Sequence, residues 1–233
     1  MVKKENIAII PARGGSKRIP KKNIIVFYEK PMIAWTIEAA IKTNIFDNVL
    51  VSTDDNEIAK IAKNFGAYVP FLRDKYCDDH SSISQATLYT IEQIEILLNK
   101  KYTTVVQLMP NCPLRNKEDI INSYNNFVKA NAKFQISCFK TGWINPWWSF
   151  KINKSFKAEY IFPEALKKRS QDLEALYYPT GAIWIANVSS LKKSESFYTN
   201  QTNFFPIDWK SAIDIDNYED LEMAKAWFSI KNN

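Results

Sequence analysis

One histidine and three cysteines among 233 residues leave several kinds of chemistry without the groups they need. With His80 as the sole imidazole and no nucleophile-elbow motif, neither a Ser-His-Asp nor a Cys-His arrangement can be assembled. His80 sits between Asp79 and Ser81 and reads as part of a helix-start cluster rather than as a general base. Cys77, Cys112 and Cys138 are widely spaced and form no CxxC pair, which argues against a disulfide framework and a thiolate zinc site and for a reducing cytoplasm. No apolar run approaches the roughly 18 residues a membrane-spanning helix requires, so no membrane partner is expected. The N-terminus MVKKENIAII passes directly into a short apolar run, without the long apolar core and cleavage site of a signal peptide. The expectation is a soluble cytoplasmic protein. Internal repeats and low-complexity segments are absent, as are the GxxxxGK[ST] and GxGxxG fingerprints, so neither an ATPase nor a dehydrogenase is inferred.

What is present suits one substantial core. The chain is 46% hydrophobic and 14% aromatic, enough for a single domain with an insertion. IAIIPA (7–12), NVLVSTD (48–54), TTVVQLMP (103–110) and GAIWIA (181–186) read as buried strands. Residues 31–43, 56–67, 84–99 and 218–230 carry apolar residues at helical spacing. Strand and helix alternate, which predicts an α/β fold: a mostly parallel sheet with helices on both faces and a ligand site beyond the strands' carboxyl ends. The stretch 141–170 breaks this rhythm with aromatics, a glycine and prolines, and reads as an excursion from the sheet. Trp143, Trp147 and Trp148 there are expected at a subunit interface, and hence in a homodimer.

The net charge of +6 fits a partner rich in phosphate or carboxylate, nucleic acid included, so the location of the charge must decide. It gathers in PARGGSKRIPKKN, directly after the first strand, where Gly14 and Gly15 permit a sharp turn and Arg13, Lys17, Arg18, Lys21 and Lys22 supply cations. At the carboxyl edge of a strand such a loop reads as a phosphate cradle; the bland reading is a solvated turn. Near the other end, IDID places Asp214 and Asp216 two apart, so on extended backbone both carboxylates share one face opposite Ile213 and Ile215. Two such carboxylates with substrate phosphates suit Mg2+, whereas the bland reading is a helix cap at Asp216 or Asn217.

PARGGSKRIPKKNI, QLMPNCPLR, RSQDLEALYYPTGAIWI and DIDNYEDLEMA together resemble the ordered motifs of the CMP-sialic acid synthetases, the acylneuraminate cytidylyltransferases, from about Ile7 to Trp227. The resemblance implies a Rossmann-like fold of the nucleotide-diphospho-sugar transferase type, with a small inserted dimerisation region. It also implies an enzyme that couples CTP to a nine-carbon 2-keto sugar acid with loss of pyrophosphate. By the same resemblance Arg13, Gly14, Gly15, Lys17, Lys22 and Asn23 would bind the nucleotide, with Arg73 and Ser82 or Ser84 as further contacts. Gln107, Arg169 and Phe197, the last beside Tyr198, would contact the sugar, Arg169 through its carboxylate. Asp214 and Asp216 would hold Mg2+, and Arg13, Lys22 and Asp216 would carry catalysis. Met109, Asn111 and Cys112 depart from the family's QPTSPLR pattern. A cytidylyltransferase for the eight-carbon sugar Kdo, a metal-dependent glycosyltransferase using Asp-x-Asp, and a nucleic-acid-binding module are the competing readings; no nucleic-acid recognition motif supports the last.

Overall fold

The computed structural model describes residues 5–142 and 144–232; Trp143 therefore lies outside the described residues. Strand β1, Asn6–Pro11, is buried at every position. That is the signature of a central strand covered on both faces, and it explains a continuous apolar run rather than an alternating one. A 3₁₀ turn at Lys22–Ile24 and the short antiparallel pair β2 (Val26–Phe27) and β3 (Lys30–Pro31) lead into helix α1, Met32–Ile41. Strand β4 (Asn48–Ser52), helix α2 (Asn56–Asn64), helix α3 (Ile83–Leu98) and strand β5 (Thr104–Gln107) complete the first half. The second half adds α4 (Lys117–Lys129), β6 (Phe134–Lys140), β7 (Phe150–Ile152), β8 (Ala158–Tyr160), β9 (Tyr177–Asn187), α5 (Val188–Ser194), β10 (Thr202–Pro206) and α6 (Tyr218–Asn232).

Six strands form the main sheet in the order β10-β6-β9-β5-β1-β4. β1 pairs parallel with β4 and β5, and β10 parallel with β6, so the expected mostly parallel sheet is present. β9 runs against both its neighbours, β5 and β6, with a register shift between Ile136 and Cys138. Helices α1, α2 and α4 bury one face around Ala8, Ile10, Ile37, Ile58 and Phe127. Helices α3 and α5 cover the other around Ile9, Ile91, Ile94 and Leu191. The first connection carries the chain from β1 to β4 on one side and the next returns it to β5 on the other. The crevice at the carboxyl ends of β1 and β5 is thus the switch point where sheets of this kind bind ligands.

Helix starts follow from their caps. Asp55 accepts from Glu57 and Ile58 N–H groups, Ser82 and Gln85 form a reciprocal box on α3, and Asn116 and Asp119 do the same on α4. At α6, Asn217 Oδ1 accepts from the Asp220 N–H at 2.9 Å while Asp220 Oδ2 accepts from the Asn217 N–H at 3.0 Å. Asn217 is therefore the cap.

Between β6 and β9 the excursion contains the β7–β8 hairpin and short 3₁₀ turns. It buries little: Phe150, Ile152, Phe156 and Tyr160 are all exposed. A third apolar cluster, Ile19, Phe27, Met32, Leu114, Ile213, Ile215, Leu221 and Ala224, lies beneath the crevice. It anchors the segment carrying the two C-terminal carboxylates, which belongs to no strand yet keeps its alternation. Ile215 is fully buried there, and Ile215→Ala should lower unfolding free energy by about 2–5 kcal/mol, measured by denaturant unfolding.

Candidate active site

The crevice is a cleft of about 520 Å³. The loop after β1 contributes Arg13, Lys17, Arg18, Lys22 and Asn23; residues leading into α3 contribute Arg73, Asp79 and Ser82; the loop after β5 contributes Met109 and Asn111; and Asp214 and Asp216 close the remaining wall. Residues remote in the chain meet here because their strands end on one edge of the sheet.

Charge is matched across the cleft. Arg13 Nη1 lies 2.7 Å from Asp79 Oδ1, and Lys17 pairs with the other oxygen of the same carboxylate. Arg18 Nη2 and Lys22 Nζ approach the two oxygens of Asp216 at 2.7 and 2.8 Å. Lys21 points away, to Glu57. Asn23 is buried and donates to the Arg13 carbonyl at 2.9 Å, which locks the loop's curvature. Arg73, also buried, donates to both the carbonyl and the hydroxyl of Ser52 at 2.9 Å. Ser82 is at once the cap of α3 and part of the cleft wall.

The two aspartates differ. Burial, reinforced by the neighbouring Asp216 charge, pushes the Asp214 carboxyl up to about 6. Burial also works against ionised Asp216, but the hydrogen bond and charge of Lys22, with Arg18, outweigh it and hold this carboxyl below its ordinary value. Asn111 Nδ2 donates to Asp214 Oδ1 and, at 3.1 Å, to the Ile215 carbonyl, fastening this segment to the loop after β5. Asp214 also lies so close to β9 that a Cβ on Gly181 would sit 3.3 Å from its Oδ2 and 2.9 Å from the Met109 side chain. Sequence reading gave Gly181 and Asn111 no role here; a glycine inside a strand was the one available signal.

Several expected contacts are placed differently. Gly14 does not turn its N–H toward a ligand: it donates to Asp54 Oδ1 at 2.8 Å, and the missing side chain makes room for Asp55, 2.8 Å from where a Cβ would be. Gly15 is open on all sides. Gln107 faces the sheet interior, because the register of β5 sets it beside Ile9 and Trp184, fully buried and without a hydrogen-bond partner for its amide. Met109, two residues on, lines the cleft instead. Phe197 is fully buried in the core with Trp184 across its ring, so it presents no surface to a sugar; Tyr198 beside it is half exposed. Arg169 stands on the excursion, its side chain 74% exposed and paired with Asp172 at 2.8 Å, and it does not line this cleft.

A switch-point cleft that gathers four cations and paired carboxylates has the charge to receive a nucleotide's phosphates. A family model described as cytidylyltransferase matches residues 7–231, and the chain belongs to that family. It is 34% identical to a pseudaminic acid cytidylyltransferase of Campylobacter jejuni over 98% of both chains. It is 32% identical to a CMP-N,N'-diacetyllegionaminic acid synthase of Legionella pneumophila over 94% of each. In fold it is similar to a CMP:2-keto-3-deoxy-manno-octonic acid synthetase solved with CTP, at TM-score 0.70 and 17% identity, covering 97% of this chain and 99% of that one.

The raised Asp214 carboxyl has a consequence for stability. Its folded value of about 6 exceeds the unfolded 3.8, so the group favours the fold most below about pH 4 and loses that contribution as pH rises through 6. Asp214→Asn removes the dependence. In chelator-containing buffer the variant should gain about 2–3 kcal/mol on wild type between pH 4 and 7.5, read from thermal unfolding at both pH values.

Proposed function

We propose that this cytidylyltransferase joins CTP to a nonulosonic acid of the sialic, legionaminic or pseudaminic type, giving the CMP-sugar and pyrophosphate. The observation that carries this reading is the cleft's composition: Arg13, Lys17, Arg18 and Lys22 gather on one loop opposite Asp214 and Asp216. The relatives named for these sugars are 32–34% identical, against 17% for the structural neighbour named for the eight-carbon acid, which favours a nine-carbon acid over Kdo.

In this reading the cationic loop seats the triphosphate, with Asn23, Arg73 and Ser82 shaping the nucleotide's place. The sugar's C2 hydroxyl attacks the α-phosphorus in line, forming the new O–P bond as the bond to the β-phosphate oxygen breaks; the hydroxyl proton passes to water and pyrophosphate leaves. Arg13 and Lys22 stabilise the charge that grows on the phosphate oxygens, the largest contribution a site of this kind makes. Asp214 and Asp216 suit Mg2+: two carboxylates share one wall, burial and then the Asp216 charge raise Asp214, and Asn217 rather than Asp216 caps the helix. Bound there, Mg2+ would neutralise phosphate charge. Arg169 is our candidate for the sugar carboxylate, and its reach depends on how the excursion docks. We also propose that the excursion forms a homodimer interface, because Phe150, Ile152, Phe156, Tyr160 and Ile161 leave it with an exposed apolar surface. A cytoplasmic location suits three cysteines that are all free thiols.

The test is pyrophosphate release from CTP across a panel of 2-keto sugar acids, Kdo included. A nine-carbon acid should be the preferred substrate, chelation of divalent cations should abolish turnover, and Arg13→Ala should lower kcat/KM for CTP at least ~10-fold, about 1.4 kcal/mol of lost stabilisation. Release only with Kdo, or from a nucleotide-sugar and an acceptor, would replace this reading. Assembly is checked by light scattering at micromolar concentration, where a dimer is expected and a monomer would remove the interface.

A further inference from the structure

Among the described residues on its side of the cleft, Asp79 is the carboxylate with no structural work of its own. Asp54 accepts the Gly14 N–H, Asp55 caps α2, and Asp78 accepts the His80 and Ser81 N–H groups at 2.7 and 2.9 Å. Asp79 contacts only cations: one oxygen takes Arg13, the other Lys17. The backbone that presents it is held on both sides, by the turn closed on Asp78 and by the reciprocal box of Ser82 and Gln85. Its carboxylate therefore stands at a set place facing the basic loop. Freeing the two cations requires only that this side chain turn away, with every backbone bond of the segment intact.

A bridging carboxylate that offers one oxygen to a guanidinium and another to an ammonium presents what a phosphate presents. We propose that Asp79 competes with phosphate for Arg13 and Lys17, and so sets how tightly the cleft holds a phosphorylated ligand. The inference rests on reading the basic loop as the triphosphate seat. A single negative charge matches these partners less well than a triphosphate carrying several, so CTP displaces Asp79, while ligands of lower charge meet the same barrier with less to offset it. Asp79 thereby acts as a specificity-determining residue on the side of the cleft opposite Asp214 and Asp216.

The test is calorimetric titration of CTP into wild type, Asp79→Asn and Asp79→Glu, with thermal unfolding as a check on folding. Two partly exposed ion pairs are lost from the competition in Asp79→Asn, so CTP should bind about 3- to 10-fold more tightly, with the unfolding temperature little changed. Asp79→Glu keeps the charge and should stay within about twofold of wild type. Unchanged or weaker CTP binding by Asp79→Asn overturns the proposal, and so does equal tightening by Asp79→Glu, which would make loop shape rather than charge the cause. Should Asp79→Asn fail to fold, Asp79→Ser removes the same charge and is read in the same way. CTP binding by wild type with no gain in the variant defeats this inference alone, whereas a wild-type protein that does not bind CTP defeats the nucleotide reading beneath it.

Discussion

A fully buried guanidinium, Arg115, holds the floor of the cleft together. Arg115 donates through Nη1 to the carbonyls of Met109 at 3.1 Å and Ala182 at 2.6 Å, and through Nη2 to the Thr36 hydroxyl at 2.6 Å. One side chain thus ties the loop after β5 to β9 and α1. Burial lowers its pKa, opposed by the carboxylates of Asp119 and Asp214. A cation in that position is tolerated because carbonyl dipoles replace its lost water. From this anchor the order spreads outward. The loop it fixes carries Asn111, and Asn111 holds Asp214 and the Ile215 carbonyl, so the C-terminal carboxylates are positioned by a residue on another strand's loop.

Above that floor, electrostatics rather than shape defines the site. Four cations of one loop share two carboxylates, Asp79 and Asp216, one on each side of the cleft. Each pairing is of modest worth to folding because its members are partly exposed to water. Their weakness leaves both partners of each pair able to exchange for other charges. Lys22 is the most enclosed of the four, its side chain only 16% exposed, so water screens its ion pair with Asp216 least.

Much of the architecture is legible from residues close together in sequence. β1 announces itself as an unbroken apolar run, and α3 by the Ser82–Gln85 box and its helical spacing. α4 is legible in the same way, since Asn116 and Asp119 form the same kind of box. β6 and β10 carry weaker signals: β6 holds Gln135 and Ser137 in its buried run, and β10 is a half-exposed edge strand. The direction of β9 was beyond reach, because GAIWIA reads alike in a parallel and an antiparallel strand. At the site, the basic loop and the Asp214–Asp216 pair stood out through composition and spacing. For Gln107 and Phe197 the motif names a residue type without its surroundings: both side chains are fully buried.

The sequence by itself determined the strand-and-helix alternation, the placement of the cations directly after β1 and the two-residue spacing of the C-terminal aspartates. These are properties of neighbours within a few positions, governed by side-chain period, caps and turns. Only the tertiary structure decided which groups answer one another: Lys22 with Asp216 across 194 residues, Asp79 with Arg13 and Lys17, Asn111 with Asp214. It also settled that Asn217, and not Asp216, caps the last helix. The physical reason is that a charge's partner is chosen by distance in space and by exclusion of water, and both are fixed only when the strands assemble into one sheet with their carboxyl ends on a common edge.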